Sequence, residues 1–182
     1  LPYDVMSSEE ARQMASGNPL SFLHVSKPEI DLPAETDVYC AEVYAKGKEN
    51  FQALIQQGAL RQDPQPYYYL YRQVMGQHAQ TGWVAVASCQ DYLDNVIKKH
   101  ELTRLEKEDD RVRHIEALDA QTGPVFLTYR AVSKLDDLFV KKTAGAPDID
   151  FTAVDGVRHT SWSISDEATI TVIEAEFARI PF

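Results

Sequence analysis

The chain has 182 residues, of which 44% are hydrophobic and 25% are charged, as in an ordinary globular protein of one domain or two small ones. Its formal net charge is −10, and an acidic surface repels phosphate backbones and anionic lipids, which disfavours nucleic-acid and membrane binding. No apolar run approaches the ~20 residues that span a bilayer. Cys40 and Cys89 are lone thiols, which indicate a reducing compartment, so we expect a cytoplasmic protein.

Both ends of the sequence are apolar, beginning Leu1-Pro2 and ending Ile180-Pro181-Phe182 after a helical pattern. Natural termini are usually polar. We therefore expect a fragment of a larger domain that lacks part of its active site. Its apolar C-terminal edge is a candidate surface for self-association with another chain.

Capping and stop signals outline the first helix. Ser7 with Glu10 forms a capping box, and residues 17–18 (Gly-Asn) are a stop signal, so we predict a helix that ends near Ala15. The apolar run at residues 21–25 is predicted to be a strand.

A long helix is predicted after a loop that contains Pro28 and Pro33. Its apolar residues recur at three-, four- and seven-residue spacings. They are Val43, Tyr44, Phe51, Leu54 and Ile55. Gly58 is the expected first residue beyond its C-terminal cap. The proline-rich stretch at 60–66 is a candidate boundary between two parts of the chain.

Two strand-like runs at residues 67–71 and 82–86 flank Gly-Gln at 76–77 and predict a β-hairpin. A polar connector then leads to a third helix. We predict that this helix starts with a second capping box at residues 103–106 and ends at Gly-Pro, residues 123–124.

The last part of the chain mixes both element types. We predict a strand at residues 125–129 and a short helix before Gly145. We also predict a hairpin at residues 149–164 and a closing helix with an apolar face at residues 170–177. Interspersed helices and locally paired strands predict the α+β class with a mixed or antiparallel sheet. We expect a single domain, or a fragment of a larger one, over the whole chain.

The familiar catalytic and metal-binding signatures are absent. The sequence contains no GxxxxGK[ST], GxGxxG or GxSxG motif. The five histidines are scattered, and none pairs with a Cys or His at the spacing of a metal site. Motifs alone therefore predict no metal site, and whether the protein is an enzyme stays open.

The densest polar segment spans residues 98–114. At about 100° per residue, Lys107, Arg111 and His114 share one stripe of the third helix. The stripe borders a predicted apolar arc, which consists of Leu105, Val112, Ile115 and Leu118. Three donors beside a core edge are partly desolvated, which strengthens their attraction for a phosphate or carboxylate.

The start of this helix adds further candidates, because free N–H groups and the positive dipole end attract anions there. We predict Glu101 as a general base towards a substrate hydroxyl. The predicted substrate- or phosphate-binding residues are His100, Arg104, Lys107, Arg111 and His114. An alternative stays open, in which nearby acidic side chains pair with these cations in a solvated surface network and Glu101 only contacts the helix N-terminus.

Several motifs resemble one family throughout the chain. They include Pro2-Tyr3-Asp4-Val5, Phe22-Leu23-His24-Val25, Tyr71-Arg72-Gln73, Lys99-His100-Glu101-Leu102-Thr103-Arg104, Asp109-Asp110-Arg111, Gln121-Thr122-Gly123-Pro124 and Asp155-Gly156-Val157-Arg158-His159. The chain thus resembles the N-terminal portion of the uncharacterised bacterial and archaeal family DUF1015, domain of unknown function 1015. In that family an Asp-Gly-His-His-Arg motif follows this portion, and this sequence does not contain it.

The resemblance implies a second likeness, to free-serine kinases of the ParB/sulfiredoxin-like superfamily, which is an analogy of fold. It implies a nucleotide-dependent phosphotransferase that uses ATP or ADP with Mg and acts on a small hydroxyl compound. The alternative is a non-catalytic module that binds an anion or nucleotide for regulation. In both cases the expected partner is a small molecule, with no nucleic acid and no membrane.

Overall fold

The computed structural model describes residues 5–99 and 103–180. Over these residues the chain forms seven α-helices, one 3₁₀ turn and a four-stranded antiparallel sheet, which confirms the α+β class. The elements in chain order are α1 (Ser8–Ala15), α2 (Leu23–Ser26), the 3₁₀ turn (Pro28–Asp31), α3 (Ala41–Gln56), β1 (Tyr68–Met75), β2 (His78–Val84), α4 (Cys89–Leu93), α5 (Leu105–Leu118), α6 (Ser133–Thr143), β3 (Ile149–Thr152), β4 (Arg158–Ile164) and α7 (Glu167–Phe177).

The chain divides into two compact units. Unit 1 comprises the described residues of Leu1–Gln62 and Glu101–Phe126, and unit 2 those of Asp63–His100 and Leu127–Phe182. The first change of unit falls within the 60–66 stretch that the sequence marks as a boundary. Across the two described segments, no helix has the length and apolar character needed to cross a membrane.

Helix α1 is the predicted first helix of unit 1. The Ser7 amide donates to the Glu10 carboxylate at 2.8 Å, and Ser7 Oγ accepts from the Glu10 amide at 3.2 Å, which confirms the capping box. Gly17 ends this region with a φ of +73°, a conformation that glycine adopts without strain. Ala11 and Ala15 are buried on the inner face of the helix.

Helix α3 is the central element of unit 1, and it packs against α2, the 3₁₀ turn and α5. Val43, Tyr44 and Leu54 are buried, as the apolar periodicity predicts, whereas Ile55 of the same predicted set is 42% exposed. The prediction for its end is also confirmed, because Gly58 follows the C-cap with a φ of +73°.

The predicted strand at residues 21–25 is wrong, because Leu23–Ser26 is helix α2. Ser21 Oγ accepts a hydrogen bond from the Leu23 amide at 3.3 Å, which supports a local turn. Val25 is fully buried against Leu54 of α3. A single helical turn is enough to bury Val25 in this way. The contact with α3 therefore outweighs the strand propensity of the apolar run.

Helix α5 forms where it is predicted, but its start, its end and its buried face differ. Its N-cap is Arg104 and makes no side-chain cap, so the predicted capping box is wrong. The helix ends at Leu118 because Asp119 adopts a left-handed φ of +52°. Leu105 of the predicted apolar arc is 79% exposed, whereas His114 is only 2% exposed. The stripe that carries His114 is therefore the packing face of α5.

Unit 2 is a sheet covered on one face by helices. The strand order is β2-β1-β4-β3, and both predicted hairpins are confirmed. Leu70 of β1 lies opposite Trp83 of β2 and Trp162 of β4, so these side chains share the face of the sheet that enters the core. Leu135 of α6 and Ile173 of α7 complete this core and are fully buried.

The predicted strand at 125–129 is wrong, because this segment has no regular secondary structure. Val125 and Phe126 are 75% and 77% exposed. Tyr129 is held through its side chain, which accepts a hydrogen bond from Trp83 Nε1 at 3.0 Å and packs edge-on against Phe177. Side-chain contacts, and not backbone hydrogen bonds to a neighbouring strand, therefore hold this segment.

Candidate functional site

The first predicted cations lie at the N-terminal turn of α5. Arg104 is the N-cap residue and Lys107 belongs to the first turn, and both are exposed. The Lys107 ammonium lies 3.3 Å from Tyr39 Oη and 5.8 Å from the centre of the same ring. No other contact of this ammonium occurs among residues 5–99 and 103–180. Lys107 is thus positioned by a neutral partner, with its charge open to solvent.

The next predicted cation, Arg111, lies beside a carboxylate. Its guanidinium donates to Asp110 at 2.8 Å, and Tyr44 Oη of α3 donates to the other oxygen of Asp110 at 3.0 Å. Burial, followed by the bond to Asp110, raises the pKa of Tyr44 to about 12, so the phenol keeps its proton and remains a donor. Asp110 therefore joins α3 to α5, and Arg111 takes part in that junction.

The third residue of the predicted stripe, His114, is buried in unit 1. Its Nε2 donates to the Val25 carbonyl at 2.8 Å. Burial lowers the pKa of His114 below its ordinary value, so the ring is neutral near pH 7. A neutral, buried ring with this partner acts in packing α5 against α2, and it presents no charge to an anion at the surface.

Two predicted residues, His100 and Glu101, lie outside the described residues. The roles of Glu101 as a general base and of His100 in binding therefore stay predictions. Along α5, Arg104 and Lys107 lie at the solvent-exposed end, Arg111 lies in the middle and His114 lies in the core of unit 1. These residues follow one line along α5, but they do not converge on one hollow.

A second polar group in unit 1 surrounds the 3₁₀ turn. The Asp31 carboxylate accepts from His24 Nδ1, and each of its oxygens lies 2.9 Å from that nitrogen. Asn50 of α3 donates through Nδ2 to Asp31 and to the His24 carbonyl, both at 2.7 Å. His24 Nε2 lies 3.2 Å from the Asn18 carbonyl oxygen. The imidazole is therefore fixed in orientation at both of its ring nitrogens.

His24, Asp31 and Asn18 line a surface hollow of about 410 Å³ in unit 1. Arg12 forms another wall, and its Nε donates to the Ile30 carbonyl at 3.1 Å while its Nη1 pairs with Glu9 at 3.2 Å. The rim is the turn after α1, residues 16–19. The hollow thus combines a guanidinium, an imidazole and a carboxylate within one concave surface.

Sequence reasoning missed this group for one reason. Because the sequence predicts a strand at residues 21–25, it gives no reason to place His24 beside Asp31. A helical turn followed by a 3₁₀ turn places residues seven apart side by side. The available signal was Pro28, since a proline at the first position of a helical turn is preorganised for it.

Comparison with known proteins gives one match. The family model described as "Protein of unknown function (DUF1015)" matches residues 1–181. The chain belongs to the DUF1015 family. No curated protein and no solved structure matches this DUF1015 chain. The expected likeness to the ParB/sulfiredoxin-like superfamily therefore stays a prediction.

The chemistry of this DUF1015 chain follows from its own side chains. The turn at Arg104 and Lys107 carries cations and helix N–H groups, which suit an anion. The hollow at His24 and Asp31 carries an imidazole whose two ring nitrogens each face an oxygen acceptor, Asp31 at Nδ1 and the Asn18 carbonyl at Nε2. Among the residues that the structure describes, no group of three or more His, Cys, Asp or Glu side chains is arranged to hold a metal ion.

Proposed function

We propose that this chain is the anion-binding portion of a nucleotide-dependent phosphotransferase that acts on the hydroxyl group of a small molecule. The observation that supports this proposal is the first turn of α5. Arg104 makes no side-chain cap there, and the Lys107 ammonium contacts only Tyr39 within the described segments. A phosphate would meet two cations and the positive end of a helix in this place.

Phosphoryl transfer depends mostly on positioning and on neutralising charge at the transferred group. A phosphate oxygen is a stronger acceptor than a neutral phenol, so it can replace Tyr39 as the partner of Lys107. Glu106 and Glu108 lie in the same turn and repel an anion. The Thr103 hydroxyl donates to Glu108 at 2.7 Å. We therefore expect binding that weakens markedly as salt screens the cations.

In the catalytic form of this proposal, Glu101 accepts the proton of the substrate hydroxyl. The hydroxyl oxygen then forms a bond to the terminal phosphorus of ATP or ADP, and the bond between that phosphorus and its bridging oxygen breaks. The nucleotide would bring Mg with its phosphates. No step of the proposal is assigned to the ion. A cytoplasmic location, where such nucleotides occur, belongs to the same proposal.

A second candidate is a regulatory module that binds a nucleotide or anionic metabolite without chemistry. Arg111 lies against Asp110, and His114 is buried and neutral, which leaves fewer charges for a transition state than the sequence predicts. Binding without turnover needs only Arg104 and Lys107. Self-association through the C-terminal edge also stays a prediction. Ile180, at that edge, is buried in the core of unit 2.

The proposal is tested with ATP and MgCl₂ by isothermal titration calorimetry on the full chain. A double variant Arg104→Gln, Lys107→Gln is expected to weaken ATP binding about a hundredfold or more, since each of the two lost charge-assisted bonds is worth roughly 1.5–3 kcal/mol. The matched control is the double variant Lys48→Gln, Arg61→Gln, which removes two exposed cations of unit 1 elsewhere. Equal affinity in both double variants would refute the site.

A second measurement separates the two candidates. The full-length protein is incubated with ATP, MgCl₂ and a set of hydroxyl compounds such as serine and glycerol, and products are followed by ³¹P NMR. A phosphorylated product that disappears in Glu101→Gln supports the phosphotransferase. ATP binding without any product over a long incubation supports the regulatory module.

A further inference from the structure

The edge strand β3 of unit 2 carries an inference that is independent of the proposed function. Every residue of Ile149–Thr152 is exposed, and β3 is bonded to a neighbouring strand, β4, on one side only. We propose that two copies of this chain associate through β3, in an antiparallel register centred on Phe151. The sheets of the two copies then continue into one another across a two-fold axis.

The main chain of β3 has hydrogen-bonding groups that β4 does not use. The Ala153 amide donates across the hairpin at 2.8 Å, and antiparallel partners bond in alternation along a ladder. Phe151, two residues earlier, is therefore bonded to β4 in the same way, while the N–H and C=O groups of Asp150 and Thr152 point to the open edge. A second copy can bond to these groups, and Asp150 of one copy then lies opposite Thr152 of the other.

The charges at this edge are compatible with a second copy. Natural edge strands are often protected by lysine, proline or other charged side chains. β3 contains no lysine or proline, and its one charged residue, Asp150, accepts from Arg158 Nε at 2.8 Å and from Nη2 at 2.6 Å. In the register centred on Phe151, Asp150 faces the neutral Thr152 of the other copy. A register centred on Asp150 would oppose two carboxylates, which disfavours it.

An aromatic stack ends at the same edge. On the sheet face opposite the helices, the ring centres of Phe151 and His159 are 5.0 Å apart, and those of His159 and Tyr71 are 5.9 Å apart. Phe151 is the last ring of this stack and is 53% exposed. Facing side chains of a non-hydrogen-bonded antiparallel pair lie close together, so the Phe151 rings of the two copies meet at the axis. The contact buries aromatic area that is exposed in a single copy.

The other edge strand, β2, offers a poorer surface. On the same face of the sheet it presents two polar side chains, a glycine and a single apolar side chain, that of Val84. β3 presents Ile149 and Phe151 within three residues, and these are 56% and 53% exposed. One short strand from each copy makes an interface below the standard size, so we expect a weak dimer that forms at high protein concentration.

The test is sedimentation velocity of the full chain from about 10 µM to about 1 mM, a range that covers weak, transient contacts. We expect the wild type to shift from monomer to dimer as the concentration rises. Phe151→Lys places two like charges at the axis and should abolish the dimer. The matched control, Val84→Lys, adds the same charge at an exposed position of β2 and should leave the dimer unchanged.

Two results of this experiment would overturn the proposal. One is a wild-type chain that stays monomeric at every concentration, which would leave the edge to a strand of a different protein. The other is a dimer that forms equally in Phe151→Lys and Val84→Lys, because association would then use another surface. Far-UV circular dichroism of both variants checks that each of them is folded.

A disulfide tests the register. In a protein that also carries Cys40→Ser and Cys89→Ser, Phe151→Cys places the two thiols on a facing pair about 4.5 Å apart at Cα, which a disulfide can bridge. We expect a covalent dimer under mild oxidation at about 1 mM protein. Ile149→Cys is the control, because its two thiols are displaced by roughly 13 Å along the strands. Absence of a cross-link in Phe151→Cys, or an equal cross-link in both variants, contradicts this register.

Discussion

Replacement of Gly47 by alanine tests the packing that positions both sites of unit 1. Gly47 is a buried residue of α3. A β-carbon at this position would lie 2.8 Å from Cγ of Pro28, and 3.5 Å from both Cδ1 of Leu118 and the carbonyl oxygen of Val25. Three neighbours on different elements thus surround the missing methyl group. Relief of the close contact requires movement of the 3₁₀ turn that carries Asp31.

Two opposing effects decide the magnitude. Glycine in a helix interior is about 1 kcal/mol less favourable than alanine, so the helix itself gains from Gly47→Ala. Overpacking of a filled core costs about 1–3 kcal/mol. The 2.8 Å contact is shorter than the 3.4–4 Å of ordinary contact, and its partner is a rigid proline ring. This close contact places the overpacking cost in the upper half of its range, about 2–3 kcal/mol, so we expect a net loss of about 1–2 kcal/mol in the free energy of unfolding.

The assay is urea unfolding followed by far-UV circular dichroism at the helical band. The matched control is Lys48→Ala, an exposed neighbour in the same helix, which should change the free energy of unfolding by less than about 0.5 kcal/mol. A Gly47→Ala protein that is more stable than the wild type would refute the reasoning, because helix propensity would then outweigh the contact with Pro28.

Three further changes are predicted from single contacts. Burial lowers the pKa of His114, so just below pH ~6.5 only the unfolded chain binds a proton at this residue and the free energy of unfolding falls. In His114→Gln this contribution is absent, so we expect the free energy of unfolding to fall less steeply on acidification. Urea unfolding midpoints measured at several pH values test this. Leu135→Ala, at a fully buried position, should cost about 2–5 kcal/mol in thermal unfolding, whereas Val140→Ala, at a 72% exposed position, should cost little. Tyr44→Phe should cost about 1 kcal/mol in urea unfolding, since Asp110 loses a donor.

Each of these predictions has a result that contradicts it. An unchanged pH slope in His114→Gln would show that this ring does not set the acid sensitivity. Equal losses in the two α6 variants would contradict the assigned inner face of that helix. A Tyr44→Phe protein as stable as the wild type would show that the link between α3 and α5 carries no net stabilisation.

Most local signals predict the fold correctly, although the capping box expected at residues 103–106 is wrong. The Ser7 capping box, the left-handed glycines and the two hairpins depend on a few neighbouring residues, and each of them is confirmed. The strands expected at 21–25 and 125–129 are wrong because strand propensity needs a partner strand. Val25 finds a helical core instead, and Tyr129 is held by Trp83 and Phe177.

The candidate site could be predicted only in part. Helical periodicity correctly places Lys107, Arg111 and His114 on one stripe of α5, because that rule needs only the spacing. It could not show that the stripe is exposed at Lys107 and becomes buried at His114. Leu105 looks like a core residue in the sequence but is 79% exposed, because Tyr44 and Val25 offer hydrogen bonds to the opposite face.

Each unit is built from two separate stretches of the sequence, and this affects how the chain folds. Unit 1 is interrupted after Gln62 and resumes with Glu101, and unit 2 is interrupted in turn by the return of the chain to unit 1. Leu118 must therefore reach Leu54 across roughly 60 intervening residues, and Val25 across roughly 90, and closure of these loops costs entropy before any contact forms. A nascent polypeptide that has emerged only as far as Gln62, about a third of this sequence, leaves that core open.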